Sequence, residues 1–158
     1  MNSWLQPTRI AASLVAVMVL AVVGCADTGV VEDAAQSFVA PATWTLDEAE
    51  TLNGFDTISR RLIYSSTGSR SDACAQAAQA LADWAEVDVS DLNASQLDER
   101  NNRGCTFSTG SDHQFQQDGL SASMQVDPLR IDGVPIEDPN QPGGVGQIRF
   151  SVTKPKPS

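Results

Sequence analysis

The chain has few of the residues on which most catalytic and metal sites depend. Among its 158 residues there is one histidine, His113, and the three cysteines show no C-x-x-C spacing. Zinc sites use closely spaced cysteine and histidine ligands, and a nucleophilic triad needs a base that a third group orients. We therefore predict a protein that is not an enzyme and that takes no cofactor and no metal. The less favoured alternative is a hydrolase of envelope polymers, built on His113 or on a pair of carboxylates.

Basic residues are also scarce. Ten Lys+Arg stand against twenty Asp+Glu, which gives a formal net charge of −10 at pH 7. Proteins that bind nucleic acids neutralise phosphates with clustered basic side chains, whereas this composition repels phosphates. The charge balance therefore argues against nucleic acid as a partner.

The one long apolar run is too short to span a membrane. It extends from Ile10 to Val23, about fourteen residues, whereas a spanning helix needs about 20. The apolar core of a signal peptide is shorter, roughly 7–15 residues. Because the run ends at a small residue, Gly24, followed by Cys25, we predict an export signal over residues 1–24.

The four residues Val22-Val23-Gly24-Cys25 resemble the lipobox of bacterial lipoproteins. In that family a diacylglycerol is attached to the cysteine sulfur, the preceding peptide is cleaved off, and the two acyl chains hold the protein at the membrane. The resemblance implies lipidation of Cys25, the membrane as a partner, and a lipid-anchored location on the extracytoplasmic face of the cell membrane. An uncleaved signal anchor or a soluble secreted protein is the alternative.

Export would leave a more acidic chain with two further cysteines. Residues 1–24 contain one arginine and no acid, so nine basic and twenty acidic residues remain among 134, a net charge of −11. Cys74 and Cys105 would then be an even pair in an oxidising compartment, which predicts one disulfide between them. Closing this loop stabilises the fold by about 3–4 kcal/mol on the chain-entropy model.

The exported chain divides into a tether, one domain and a tail. Residues 25–43 mix acidic and small residues without a clear period, which predicts a lipidated cysteine followed by a flexible tether. A tether of this length lets a domain float about 20–25 Å from its anchor. We predict a single α+β domain over residues 44–154 and a disordered tail over 155–158.

Two segments of the domain carry helix signals. The sequence TLDE, Thr45 to Glu48, fits a capping box and predicts a helix that ends at Gly54. From Ala73 to Val87, apolar residues recur at three- and four-residue steps, which predicts the main helix, with Ser71 as its cap and an alanine-rich buried face. The segment Asp56–Tyr64 fits either a strand or a second short helix.

Three later segments alternate apolar and polar residues in the manner of half-buried strands: Cys105–Ser108, Leu120–Asp127 and Gly146–Thr153. Such alternation is typical of an antiparallel sheet with one face in water and the other covered. We therefore predict one or two helices packed on a small antiparallel sheet of three to four strands, with Cys74 on the main helix bonded to Cys105 on a strand.

No pattern in the sequence identifies a ligand, so function has to be inferred from surfaces. Solvated strand faces and loops on a rigid scaffold are common binding sites, and here they are the wet face of the sheet and the loop Leu129–Gly146. We predict a non-enzymatic binding or scaffolding module for a protein or envelope component. The candidate contact residues are Arg130, Gln147 and Arg149.

Two other functions stay open at this point. The first is a carrier of a lipid or other small apolar ligand, whose cavity would be lined by Trp84, Leu120, Met124, Ile148 and Phe150. The second is a prophage-encoded surface-exclusion lipoprotein, since the alanine-, valine- and aspartate-rich, lysine-poor composition is typical of a high-GC bacterium or one of its prophages.

Overall fold

The computed structural model describes residues 28–96, 104–109, 119–135, 138 and 140–156. Its elements, in chain order, are α1 (28–36), β1 (Trp44–Asn53), β2 (Thr57–Ser66), α2 (Arg70–Ala85), β3 (Asn93–Gln96), β4 (Cys105–Ser108), β5 (Ser121–Pro128), β6 (Arg130–Ile131), β7 (Val134–Pro135) and β8 (Val145–Pro155). A short 3₁₀ turn, Val89–Asp91, precedes β3. The predicted signal segment 1–24, Cys25 and His113 lie outside the described residues.

Six of the strands form one antiparallel sheet in the order β1-β2-β8-β5-β4-β3. The remaining two, β6 and β7, form a small ribbon whose turn residues, Asp132 and Gly133, have φ angles of 51° and 80°, as in a type I′ hairpin. The strands predicted at Cys105–Ser108, Leu120–Asp127 and Gly146–Thr153 correspond to β4, β5 and β8. The α+β class is confirmed, although the sheet has six strands rather than three to four.

The core lies between the helices and one face of the sheet. β5 and β8 supply five residues with no exposed surface: Met124, Val126, Ile148, Phe150 and Val152. The main helix, α2, meets the sheet with alanines, and these small side chains let its axis approach the strands closely. The predicted disulfide between Cys74 of α2 and Cys105 of β4 is present, with 6.0 Å between the Cα atoms.

The main helix begins earlier than predicted. Its N-cap is Ser69 rather than Ser71, and the Ser69 Oγ accepts a hydrogen bond from the backbone N–H of Asp72 at 3.1 Å. The Ser69 hydroxyl also donates to the Asp72 carboxylate at 2.7 Å, so the cap residue and the first turn hold each other. The last helical residue is Ala85, two residues before the predicted end at Val87, and Glu86, in the left-handed region at φ 54°, is the C-cap.

The helix predicted from Thr45 is wrong, because this segment forms the edge strand β1. Nine residue pairs join β1 to β2, from Trp44 with Ser66 to Asn53 with Ile58. Trp44 is buried, and its Nε1 donates to the side chain of Gln76 in α2 at 2.9 Å. Helix propensity distinguishes ordinary residues by at most about 0.7 kcal/mol each, so tertiary pairing of this kind readily overrides it.

The prediction of a flexible tether over 25–43 is corrected for its described part, 28–43. Residues 28–36 form α1, and Val31, Ala35 and Phe38 are buried in the core. The Phe38 ring stacks on that of Phe150 with 4.1 Å between centroids. This segment is therefore part of the domain.

The predicted disordered tail over 155–158 is also corrected for its described residues. Pro155 belongs to β8, and the backbone N–H of Lys156 donates to the carbonyl of Asp56 at 2.8 Å. Residues 157 and 158 lie outside the described chain.

The ambiguous segment Asp56–Tyr64 lies almost wholly in a strand, β2, which starts at Thr57. Arg60 interrupts its apolar face because it meets α1 there. The Arg60 Nη1 lies 4.0 Å from the carboxylate of Glu32 and donates to the Thr51 hydroxyl at 2.8 Å.

Candidate binding face

The sheet face opposite the helices is rich in hydroxyl, amide and guanidinium groups. We call it the polar face and define it by eight residues of β2, β5 and β8: Ser59, Arg61, Ser123, Gln125, Asp127, Arg149, Ser151 and Thr153. These side chains alternate with the core residues of the same strands, and for this reason they point away from the helices.

Register brings the polar residues of three strands into rows. Ser151 of β8 lies between Arg61 of β2 and Ser123 of β5. In the next row Arg149 lies opposite Gln125. Residues directly opposite on one face of a sheet are close enough for their side chains to interact. The small serines at the centre therefore form the floor of a depression with an arginine on either side.

This depression has a volume of about 250 Å³. Four hydroxyl side chains, two guanidinium groups and one amide surround it: those of Ser59, Ser123, Ser151, Thr153, Arg61, Arg149 and Gln125. Guanidinium groups only donate hydrogen bonds, whereas hydroxyls and amides also accept them. The depression can therefore bind a polar group that presents several acceptors.

Both arginines are held by carboxylates at the margin of the face. Arg149 forms an ion pair with Asp127, whose other oxygen accepts from the Gln125 amide at 2.8 Å. Arg61 donates to Glu50 of β1 at 2.9 Å. These pairs are about a quarter to a third exposed, so each contributes only about 0–1 kcal/mol to stability. Their main effect is to fix the orientation of the guanidinium groups.

The Arg149 side chain has an inner and an outer part. Its Nε is buried and has no hydrogen-bond partner among the described residues, while the side chain as a whole is 29% exposed. The Arg149 guanidinium therefore has one donor group, the Nε–H, that no described residue accepts from.

The three predicted contact residues do not lie together. Gln147 and Arg149 are both on the sheet face opposite the helices, where Gln147 is exposed and pairs in register with Asp127. Arg130 lies on the separate β6–β7 ribbon, and its Nη1 donates to the Gly133 carbonyl at 2.9 Å. Arg130 therefore does not line the depression.

Sequence reasoning missed Arg61, which borders the depression on the β2 side. It follows directly from an assignment of 57–66 as a strand, because Arg61 then points to the face opposite Leu62 and Tyr64.

A second concavity, of about 540 Å³, lies where residues 37–41 cross α2. At its edge the Trp84 Nε1 donates to the Ser37 hydroxyl at 2.9 Å and to the Ala34 carbonyl at 3.0 Å. These bonds fasten the segment after α1 to the main helix. The groove therefore lies between residues 37–41 and α2, which are packed against each other.

The comparisons with known proteins give no relative for this chain. No protein-family model, no curated protein and no solved structure matches it. Among the helices in the described residues, none is both long and apolar enough to cross a bilayer. The described residues also bring together no group of three or more side chains suited to hold a metal ion.

Proposed function

We propose that the protein is a membrane-anchored extracytoplasmic lipoprotein, not an enzyme, that binds a protein or other envelope component through the polar face. The observation that carries this proposal is the depression around Ser151, where hydroxyl groups lie between two oriented guanidinium groups. Such donors and acceptors suit hydrogen bonding to a polar partner surface.

The dimensions of the sheet fit an interface with another macromolecule. Neighbouring strands lie about 4.8 Å apart and rise about 3.3 Å per residue, so five pairings of nine, eight, eight, four and four residue pairs give about 500 Å² for one side of the sheet. One partner of a specific protein complex contributes about 800 Å², so the polar face together with the strands that flank it is of the required order.

The packing of the core favours surface binding over the alternative of an apolar carrier. A carrier needs a cavity among residues such as Met124, Ile148 and Phe150, and all three have no exposed surface. Trp84 packs edge-on against the Phe150 ring, with 5.1 Å between centroids. These side chains fill the space that a ligand would need.

The anchor in this proposal is the diacylglyceryl group on Cys25, and its support is the lipobox-like sequence Val22-Val23-Gly24-Cys25. Intact-mass analysis of the chain purified from an exporting bacterium tests it. We expect a species that begins at residue 25 and carries the acyl mass. A product that begins at Met1, or one without acyl mass, would contradict the anchor.

The binding face is tested with a bulky substitution at the centre of the depression. Ser151→Tyr fills the depression while keeping a residue that strands accommodate well, and Ser71→Tyr adds the same side chain at an exposed position of α2. Each lipidated variant is cross-linked in its native envelope, recovered, and its partners quantified by mass spectrometry.

We expect S151Y to lower recovery of the partner about tenfold or more, which corresponds to about 1.4 kcal/mol, and S71Y to leave it unchanged. A partner recovered equally with wild type and S151Y would contradict the polar face as its site. Recovery of no specific partner with wild type would contradict the binding function itself.

A further inference from the structure

The first helix has a defined direction along the sheet. Glu32 in α1 accepts from the Thr51 hydroxyl at 3.2 Å and lies beside Arg60, whereas Phe38, after the helix, stacks on Phe150 and lies 6.1 Å from Tyr64. From Arg60 to Tyr64 the chain of β2 runs away from the β1–β2 turn. The N-terminus of α1 is therefore directed toward the end of the sheet that carries the β1–β2 turn.

The proposed lipid site must lie near that same end. Thr28 is four residues before Glu32, about 6 Å further along the helix axis. Cys25 precedes Thr28 by three residues, which span at most about 11 Å even when fully extended. Because α1 is docked on the sheet, only the residues between Cys25 and Thr28 separate the proposed lipid site from the domain, instead of a tether over 25–43. The direction of α1 therefore determines which end of the domain is next to the anchor.

At this end the β1–β2 turn carries Phe55, which is 95% exposed. The turn is well held: the Gly54 N–H donates to the Thr57 carbonyl at 2.9 Å, and the Lys156 Nζ donates to the Gly54 carbonyl at 2.7 Å. An aromatic ring fully exposed on a fixed turn has no packing role within the described chain. The ring is therefore available for contact with something outside the domain.

The charges at this end differ from those of the rest of the protein. The chain contains only two lysines: Lys154 lies near the end of β8 and Lys156 directly follows that strand, and both are beside this turn. Among the described residues they lie near Asp56 of the turn, and Glu32 and Asp33 of α1 lie toward the same end, where Glu32 is beside Arg60. The two lysines can contact anionic headgroups in a chain that otherwise has a strong acidic excess.

We infer that this end of the domain, comprising Phe55, Lys154 and Lys156, rests on the phospholipid bilayer that holds the Cys25 acyl chains, with the Phe55 ring at the boundary between headgroups and acyl chains. The inference rests on the proposed lipidation of Cys25. Aromatic side chains and lysines are the residues that favour this boundary. The strands then stand away from the bilayer, so that the polar face is presented sideways to other envelope components.

The test places a tryptophan at the tip of the turn. Phe55→Trp and the control Val39→Trp are made in the full chain, exported, and reconstituted into vesicles of phosphatidylglycerol and phosphatidylethanolamine with brominated acyl chains. Val39 is 83% exposed but follows Phe38, whose ring contacts Tyr64 and the ring of Phe150 opposite Leu62, about 13–20 Å along β2 from Ile58. Bromine quenches an indole only at close range, so the two positions report different heights above the acyl chains.

We expect the bromine-dependent loss of emission to be about two-fold or more greater for F55W than for V39W, because only the first indole reaches the acyl boundary. Equal losses in protein whose mass confirms the lipid on Cys25 would overturn this inference and leave the anchor standing. A blue shift of F55W without quenching would overturn it too, since it would indicate contact with protein. An unlipidated product would overturn both proposals.

Discussion

Replacing Phe38 with alanine tests whether the segment after α1 is part of the folded domain. Its side chain is 7% exposed, and the ring stacks on Phe150 at 4.1 Å. Burial of a phenylalanine contributes about 1.5–3 kcal/mol, and the cavity left behind brings the usual cost of Phe→Ala in a core to about 3–5 kcal/mol. We expect a loss near the lower end, about 3 kcal/mol, because α1 and its flanking residues can undock without unfolding the sheet.

Urea unfolding followed by tryptophan fluorescence measures this loss. With a slope of about 1.5 kcal/mol/M, a change of about 3 kcal/mol lowers the midpoint by about 2 M. The matched control is Val39→Ala, one residue further along and 83% exposed, for which we expect a change within about 0.5 kcal/mol. If F38A were as stable as V39A, residues 28–43 would behave as the flexible tether that the sequence suggests, and the docked helix would be wrong.

Three further predictions follow from single contacts. Removing the disulfide with C74A/C105A should lower the free energy of unfolding by about 3–4 kcal/mol in the same urea assay, because the crosslink restricts the unfolded chain. Unchanged stability would contradict this role of the disulfide. Burial raises the pKa of Tyr64, the one tyrosine, above 10.0. Because the folded state favours the neutral phenol, stability should hold below pH 10 and fall as pH rises beyond it; a native phenolate absorbance midpoint at or below that of the denatured chain would refute this. Gly146→Ala places a Cβ 2.6 Å from a backbone oxygen of β5 and should cost about 1–3 kcal/mol, whereas an unshifted midpoint would contradict the close approach.

The elements that the sequence predicted well are those with one buried and one solvated side. In β5, Ala122, Met124 and Val126 are buried and alternate with polar residues, and β8 repeats this pattern. The alanine face of α2 is equally one-sided. A burial pattern with the period of the element is visible in the sequence because each residue meets only one environment.

The edge strand β1 has no such pattern to detect. Apart from Trp44 its residues are mostly exposed, and its acidic and alanine residues favour a helix when taken alone. Pairing with β2 decides its structure, and that pairing depends on a neighbour in space. By contrast, α1 carried a usable signal: Val31, Ala35 and Phe38 are spaced by four and three residues, and all three are buried.

The two adjacent arginines of β2 show why the candidate site was only partly predictable. Arg61 points to the polar face and pairs with Glu50, as alternation requires, whereas Arg60 points to the helix side and meets Glu32. Without knowledge of α1, Arg60 looks like a charge on a core face, and it argues against a strand. Arg60 therefore left the segment Asp56–Tyr64 open between a strand and a short helix, and Arg61 was not assigned to a face, whereas Arg149 was predicted as a contact residue because its own strand alternates without interruption. The orientation of Arg61 thus depends on a contact that the sequence of β2 does not show, namely that of Arg60 with Glu32 of α1. Measuring how stably α1 is docked on the sheet tests this explanation.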